Sequence, residues 1–530
     1  MKNHKYLVPL FLMLLSIGVL IGMRVNTATS GDDLFDDVKK FNEVLTLVQK
    51  NYVEDVNPDK LTEAAIKGLL SSLDPHSVYI NAQQLKTVNE DFQGSFEGIG
   101  VEFDILSDTI TIITPIAGGP SEALGIMAGD KIVKIDGVSA IKMTREDVPK
   151  KLRGPKGTKV TVTIYRPGNP NFMDFVITRD IIPIYSVDAS FMVNNEIGYV
   201  RVNRFAAKTS EELSRALSAL KSQGMKKLVL DLRNNPGGYL EQAYIMAGMF
   251  VDKGKKIVYT KSRIPGYNDE YVSEGGEYND IPLILLVNDG SASASEIVAG
   301  AIQDWDRGLI VGETTFGKGL VQRQYDLSDG SAIRVTTSRY YTPSGRLIQK
   351  PYVGAQYKMM ADSDMEGDNL MHKNDTKDTS RPEFKTMGGR TVYGGGGITP
   401  DYVEKLDTLS PYSVQLRRLN LFLEYTNNYY EAYKDRLRSE YSDYIKFRDG
   451  FSISDNMLND LKNLATQKGV VFNEEQWNRD LDFIKISIKS ILARDIWGNN
   501  GSMAVFLTVD KQFNKAVELF PEAENLAHLK

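Results

Sequence analysis

The chain has 530 residues, enough for several hydrophobic cores, and its 42% hydrophobic and 25% charged residues are those of a globular protein. It contains no cysteine, which excludes structural disulfides, a thiol nucleophile and cysteine-bound zinc. A formal net charge of -6 argues against a nucleic-acid partner, and four scattered histidines (His4, His76, His372, His528) with no His-x-x-x-His pair leave no expected metal site.

Along the chain, Lys2 and Lys5 precede an apolar run over 6–23 that Arg24 closes. At about 18 residues it suits either an export signal or a membrane anchor, and residues 1–30 are read as one of the two. Ala28-Thr29-Ser30 is a candidate cleavage stretch, and without cysteine no lipid can be attached. The expected location is the cell envelope, periplasmic or anchored to the membrane, with the body outside the cytoplasm. Residues 31–93 show helical spacing, as in Phe41, Val44, Leu45 and Val48, with Asn57-Pro58 as a break. His76 lies in Leu73-Asp74-Pro75-His76-Ser77, a turn-like string that favours a structural role over catalysis.

Over 94–180 the texture changes to short strands, at 101–106, 109–113, 131–135 and 159–165. Strands and helices then alternate over 181–351: strands at 197–202, 227–232 and 283–287, helices at 210–223 and 241–250, and a helix opening near Ser293. This alternation predicts parallel crossovers, with chemistry at the carboxyl ends of the strands. Residues 352–385 read as an exposed polar insert, 386–408 as the end of the core, and 409–530 as a helical domain rich in tyrosine and leucine.

Three strings carry candidate chemistry. Gly290-Ser291-Ala292-Ser293-Ala294-Ser295-Glu296 joins a buried strand to a helix. Ser293-x-x-Glu296 has the form of a capping box, and the same geometry would expose Ser293 as a nucleophile at a helix N-terminus. Gly312 to Gly319 contains the spacing of a phosphate loop, but Gly319 stands where Ser or Thr would bind magnesium, and the following residues are strand-like. The competing reading makes Lys318 a general base: burial without an opposing charge would lower its pKa, and Gln322 could orient the amine without restoring that charge. In Asp231 to Gly238 the paired glycines form either a tight turn or an oxyanion hole, in which Gly237, Gly238 and the Ala294 amide would be the donors.

With Gly397-Ile398-Thr399-Pro400-Asp401, Gly98-Ile99-Gly100-Val101 and the Leu73 to Ser77 string, these motifs resemble the carboxyl-terminal processing peptidases, the tail-specific family of serine peptidases. The resemblance covers roughly 35–350 and 386–405. It implies Ser293 as nucleophile, Lys318 as base and Gln322 as the orienting group, on a crotonase-like or ClpP-like α/β core.

Gly98-Ile99-Gly100-Val101 also resembles the carboxylate loop of PDZ domains, and Ala128 to Gly137 their second signature. Ile99, Gly100 and Val101 would bind a terminal carboxylate, and the adjacent strand edge would extend the substrate backbone. The expectation is a multi-domain α/β endopeptidase with a β-rich PDZ domain and helical N- and C-terminal regions. It would recognise exposed apolar C-terminal tails of exported proteins and would need no cofactor. The alternative is a non-catalytic PDZ scaffold. A homo-oligomer is among the assemblies the sequence allows. Arg153, in Leu152-Arg153-Gly154, reads as solvated, with coupling of the PDZ region to the core as the alternative.

Overall fold

The computed structural model describes residues 32–352 and 381–528, so the apolar N-terminal run and most of the polar insert lie outside the described residues. Among the described residues no helix is long and apolar enough to cross a membrane. Contacts divide the chain into two units, 1–79 with 333–335, and 80–332 with 336–530.

In the first unit, helices Asp32–Asn51 and Pro58–Ser71 are separated where Asn57 caps the second. Its side chain accepts from the Asp59 and Lys60 amides, and Pro58 takes the first-turn position that lacks an intrahelical donor. The Leu73 to Ser77 string is a turn organised by Asp74, whose carboxylate accepts from the amides of His76 (2.8 Å) and Ser77 (2.9 Å) and from the Ser77 hydroxyl (2.8 Å).

The second unit begins with helix Ala82–Gln93 and then the β-rich region. The chain enters and leaves this region through an antiparallel ribbon of Ser95–Gly98 against Asp180–Pro183. Between them lies a sheet in the order Val101–Leu106, Thr109–Pro115, Lys131–Ile135, Lys159–Tyr165, Met173–Thr178. Inward isoleucines and valines on alternate positions, such as Ile110, Ile112, Val160, Val162 and Ile164, build its core.

The larger sheet runs Val187–Met192, Ile197–Val202, Lys227–Asp231, Leu283–Val287, Leu309–Gly312, Tyr402–Val403. Its first pair is antiparallel and the rest are parallel. The central strands are apolar over 228–230, 283–287 and 309–311 because both faces are covered. Helices Thr209–Ser222, Leu240–Gly248 and Ala294–Asp304 bury one face, over Leu228, Leu230 and Leu285. Helices Lys511–Glu518 and Phe520–His528 bury the other, with Phe513 and Phe520 over Val229, Ile284 and Leu286. The last part of the C-terminal region therefore completes the sheet's core. The segment 412–505 forms a separate cluster around Phe447, Leu461, Ile484 and Leu492.

This arrangement sends three loops off the carboxyl ends of three adjacent parallel strands, and these are the strings singled out as candidate chemistry. At its other end the helix Ala294–Asp304 is anchored by a fully buried pair, Arg346 to Asp304 at 2.6 Å, with Gln303 accepting from the same nitrogen at 2.7 Å. Removing one partner of such a pair leaves an uncompensated charge. Arg346→Met is expected to lower stability by about 3–5 kcal/mol in chemical denaturation.

Candidate active site

Ser293 ends the turn after strand Leu283–Val287 and opens the helix Ala294–Asp304. Its backbone is at φ 52°, ψ -107°, a conformation that side chains other than glycine rarely adopt and that persists only where the surroundings enforce it. The enforcing groups are identifiable. The Ser293 amide donates to Glu296 Oε2 at 2.8 Å, and its carbonyl accepts from the Tyr340 hydroxyl at 3.1 Å. Ser291 anchors the same turn by donating its hydroxyl to the Leu232 carbonyl at 2.8 Å.

Glu296 is wholly buried, and both of its oxygens are shared with the loop that carries Lys318. Oε1 accepts from the Thr315 hydroxyl (2.6 Å) and the Gly317 amide (2.7 Å), while Oε2 accepts from the Lys318 amide (2.9 Å) as well as from Ser293. Burial holds its carboxyl above the usual glutamate range, although the four donors pull the other way. The Tyr340 hydroxyl, which donates to Ser293, also donates to the Lys318 carbonyl at 2.7 Å. Burial and the neighbouring Glu296 charge hold it well above its ordinary range, so it remains a donor. The backbones at Ser293 and Lys318 are thus fixed to the same two side chains. Lys318 Nζ donates to Gln322 Oε1 at 2.8 Å, four residues on in the strand Leu320–Asp326.

The chain on either side of the insert, at Lys350 before it and Ile398 after it, supports the same loop. The Ile398 amide donates to Thr315 Oγ1 at 2.7 Å, the Thr315 amide to the Ile398 carbonyl at 3.1 Å, and the Lys350 amide to the Gly317 carbonyl at 2.9 Å.

The third loop, after strand Lys227–Asp231, lies directly against the nucleophile turn. Gly237 has φ +99°, and a Cβ there would stand 2.8 Å from the Ala292 carbonyl oxygen and 2.9 Å from Ser293 Cβ, so no larger residue fits. Its amide donates to Asn235 Oδ1 at 2.9 Å, while the Asn235 carbonyl accepts from the Ala292 amide (3.0 Å) and the Ser295 hydroxyl (2.9 Å). Beneath it, Asp231 pairs with Arg233 (2.6 Å) and accepts from Tyr199 (2.7 Å), and Arg233 reaches Gln512 (2.9 Å) in the C-terminal helices. Burial alone would raise the Asp231 carboxyl, but Arg233 outweighs it and holds the group low.

Sequence reasoning weighed Glu296 only as a helix cap and missed Asn235, Thr315 and Tyr340. The only signal for Glu296 was its position three residues after a serine. Nothing local marks Tyr340, which arrives from a distant strand.

Comparison with known proteins follows the same division. Residues 196–359 match the model of peptidase family S41, 87–165 the PDZ domain, 22–84 the activating protease CtpB N-terminal domain, and 412–498 a family of unknown function. The carboxy-terminal processing protease CtpA of Bacillus subtilis is 38% identical over 333 residues, covering 63% of this chain and 70% of the relative. The carboxy-terminal-processing protease of Bartonella bacilliformis is 39% identical over 340 residues, covering 63% and 78%. The chain belongs to the carboxy-terminal processing proteases of peptidase family S41. It is a serine-type peptidase with a PDZ domain. The solved photosystem II D1 C-terminal processing protease is 30% identical, with a TM-score of 0.34, covering 70% of this chain and 93% of that one.

In the PDZ domain of this S41 peptidase, Ile99 is buried and its carbonyl accepts from the Ser121 amide (3.2 Å) and hydroxyl (2.6 Å). The Gly100 carbonyl accepts from the Ile116 amide at 2.9 Å, which shapes the loop before Val101 begins the edge strand. Arg153 is not merely solvated. It pairs with Glu90 at 2.5 Å and lies 4.3 Å from the centroid of the Phe96 ring, joining the PDZ domain to the helix Ala82–Gln93 and the entry ribbon.

Glu296→Gln would turn an amide nitrogen toward donors that now meet carboxylate oxygen. Hydrogen bonds to charged groups contribute about 1.5–3 kcal/mol each, so a loss of two is expected to lower kcat/KM by about a hundredfold or more. Steady-state cleavage of a tailed protein, with thermal melting to show that the fold persists, checks this.

Proposed function

We propose that this S41 peptidase cleaves proteins by a Ser-Lys mechanism after capturing their exposed apolar C-terminal tails in the PDZ domain. The observation that carries the reading is the common attachment of the Ser293 and Lys318 backbones to Glu296 and Tyr340, with Lys318 Nζ directed by Gln322. In this scheme the neutral Lys318 amine takes the Ser293 Oγ proton as Oγ attacks the scissile carbonyl. Collapse of the tetrahedral intermediate returns that proton to the leaving amine and leaves an acyl-enzyme, which water hydrolyses with Lys318 again as base. The oxyanion would meet the Ala294 amide, one of the first helical amides that have no intrahelical acceptor. Gly238 would supply the second donor, and Gly237 would join only if its amide leaves Asn235.

The same reading divides the chain as the motifs suggest, into a signal or anchor (1–30), helical region (31–93), PDZ domain (94–180), protease core (181–351 and 386–408), insert (352–385) and helical domain (409–530), the last two helices of which pack on the core sheet. The apolar run over 6–23 supports a cell-envelope location and exported substrates. The exposed apolar residues Leu34, Val38 and Phe41 on the first described helix support a homo-oligomer. Intact Ser293, Lys318 and Gln322 weigh against a non-catalytic scaffold.

Ser293→Ala and Lys318→Ala are each expected to abolish cleavage of a tailed reporter with the fold intact, and Gln322→Ala to be less severe. Full activity in Lys318→Ala would refute the base assignment. For the tail, converting a substrate's terminal carboxylate to the amide is expected to lower kcat/KM about tenfold or more. Gly100→Val should cause a similar defect, because Gly100 has φ +75° and an added Cβ would stand 3.0 Å from Ile182 Cδ1. Equal rates on acid and amide would remove tail recognition while leaving the Ser-Lys chemistry standing.

A further inference from the structure

The strand that a captured tail would extend, Val101–Leu106, is at the edge of the PDZ sheet. It turns into Thr109–Pro115 through Ser107 and Asp108, at φ 46° and 62°, the two-residue turn with both central residues left-handed. Such a turn makes Leu106 and Thr109 a hydrogen-bonded pair. Alternation from that pair makes Ile105 with Ile110, and Phe103 with Ile112, non-bonded pairs. The backbone groups of Phe103 and Ile105 therefore point outward, toward an incoming strand.

One of those outward donors is already taken. The Ile105 amide donates to Oδ1 of Asp104, its own neighbour, at 2.7 Å. The Asp104 side chain is largely buried and is held from two further directions. Arg145, just before the short helix Asp147–Leu152, approaches Oδ1 at 3.4 Å, and Asn420 Nδ2 donates to Oδ2 at 3.4 Å. Asn420 belongs to the segment that matches a family of unknown function, which here reaches the edge of the PDZ sheet.

We propose that Asp104 sets the length of tail that the PDZ domain reads. This rests on the reading that tails add to this edge with their carboxylate at the loop around Gly100. Outward groups recur at every second residue, so the third residue from a tail's end meets Phe103 and the fifth would meet Ile105. Asp104 occupies the amide that the fifth residue needs, and pairing stops before it. Recognition is confined to a short terminal sequence, and longer tails gain nothing unless Asp104 is displaced.

The test uses the full chain with Ser293→Ala, which prevents cleavage, and free-acid peptides of three to seven residues that share one apolar end. Affinity is expected to rise to the fourth residue and then stay level within about twofold. Adding Asp104→Ala should let the fifth residue tighten binding by roughly two- to tenfold, the effect of one net backbone hydrogen bond. Asp104→Asn, which retains an acceptor oxygen, should restore the plateau. A fifth residue that tightens binding equally with and without the Asp104→Ala substitution overturns the proposal. A clear fifth-residue gain in the Ser293→Ala parent alone does so even if the Asp104→Ala chain fails to fold. Amidated peptides separate the two ideas: equal binding of acid and amide removes the capture reading beneath the proposal, whereas a missing plateau with acid-dependent binding removes only the role of Asp104.

Discussion

Four donors converge on the carboxylate of Glu296, two from the hydroxyl and amide of Thr315 and Gly317 and two from the amides of Ser293 and Lys318. A buried carboxylate without partners would be costly, and this one is fully satisfied by the two loops it joins. Its position on the first turn of the helix Ala294–Asp304 adds the favourable field of the helix N-terminus. Because each bond has its donor on a different loop position, the strained backbone at Ser293 cannot relax without releasing the Lys318 loop as well. The fold contributes the rest: three adjacent parallel strands end together, and the helices behind them are fixed by core packing and by the Arg346 pair.

This arrangement changes the electrostatic setting expected for Lys318. The sequence suggested a lysine buried away from any opposing charge, whereas the loop wraps around a carboxylate. The four donors are directed at both Glu296 oxygens, and Lys318 meets that carboxylate through its backbone amide while its amine is directed to the neutral Gln322. Position and charge are thereby separated: the acid fixes the chain and the amide aims the amine.

Much of this was legible in the sequence for physical reasons. Leu283–Val287 reads as a buried strand because it has no polar residue. Asn57-Pro58 announces a break between two helices, and a serine before an apolar helix run announces an exposed turn. Strands such as Val187–Met192 and Ala332–Tyr341 were missed because their mixed polar and apolar residues gain burial only from partners far away in sequence. Tyr340 was missed for the same reason. Glu296 was seen but undervalued, since a capping box accounts for one of its bonds and the other three come from the loop around Lys318, well beyond it in the chain. The last helices were read as part of a separate domain, because helical periodicity does not say which surface a helix covers; Phe513 and Phe520 cover the sheet.

Cleavage in this scheme depends on Ser293 acting as a nucleophile activated by Lys318. The most direct measurement is the rate at which a serine-directed fluorophosphonate forms an adduct, with the modified residue located by mass spectrometry, in the parent chain and in Lys318→Ala. One adduct is expected, on Ser293, formed rapidly in the parent and slowed by orders of magnitude in the variant. An adduct on another residue, or one on Ser293 that forms equally fast without Lys318, would contradict it.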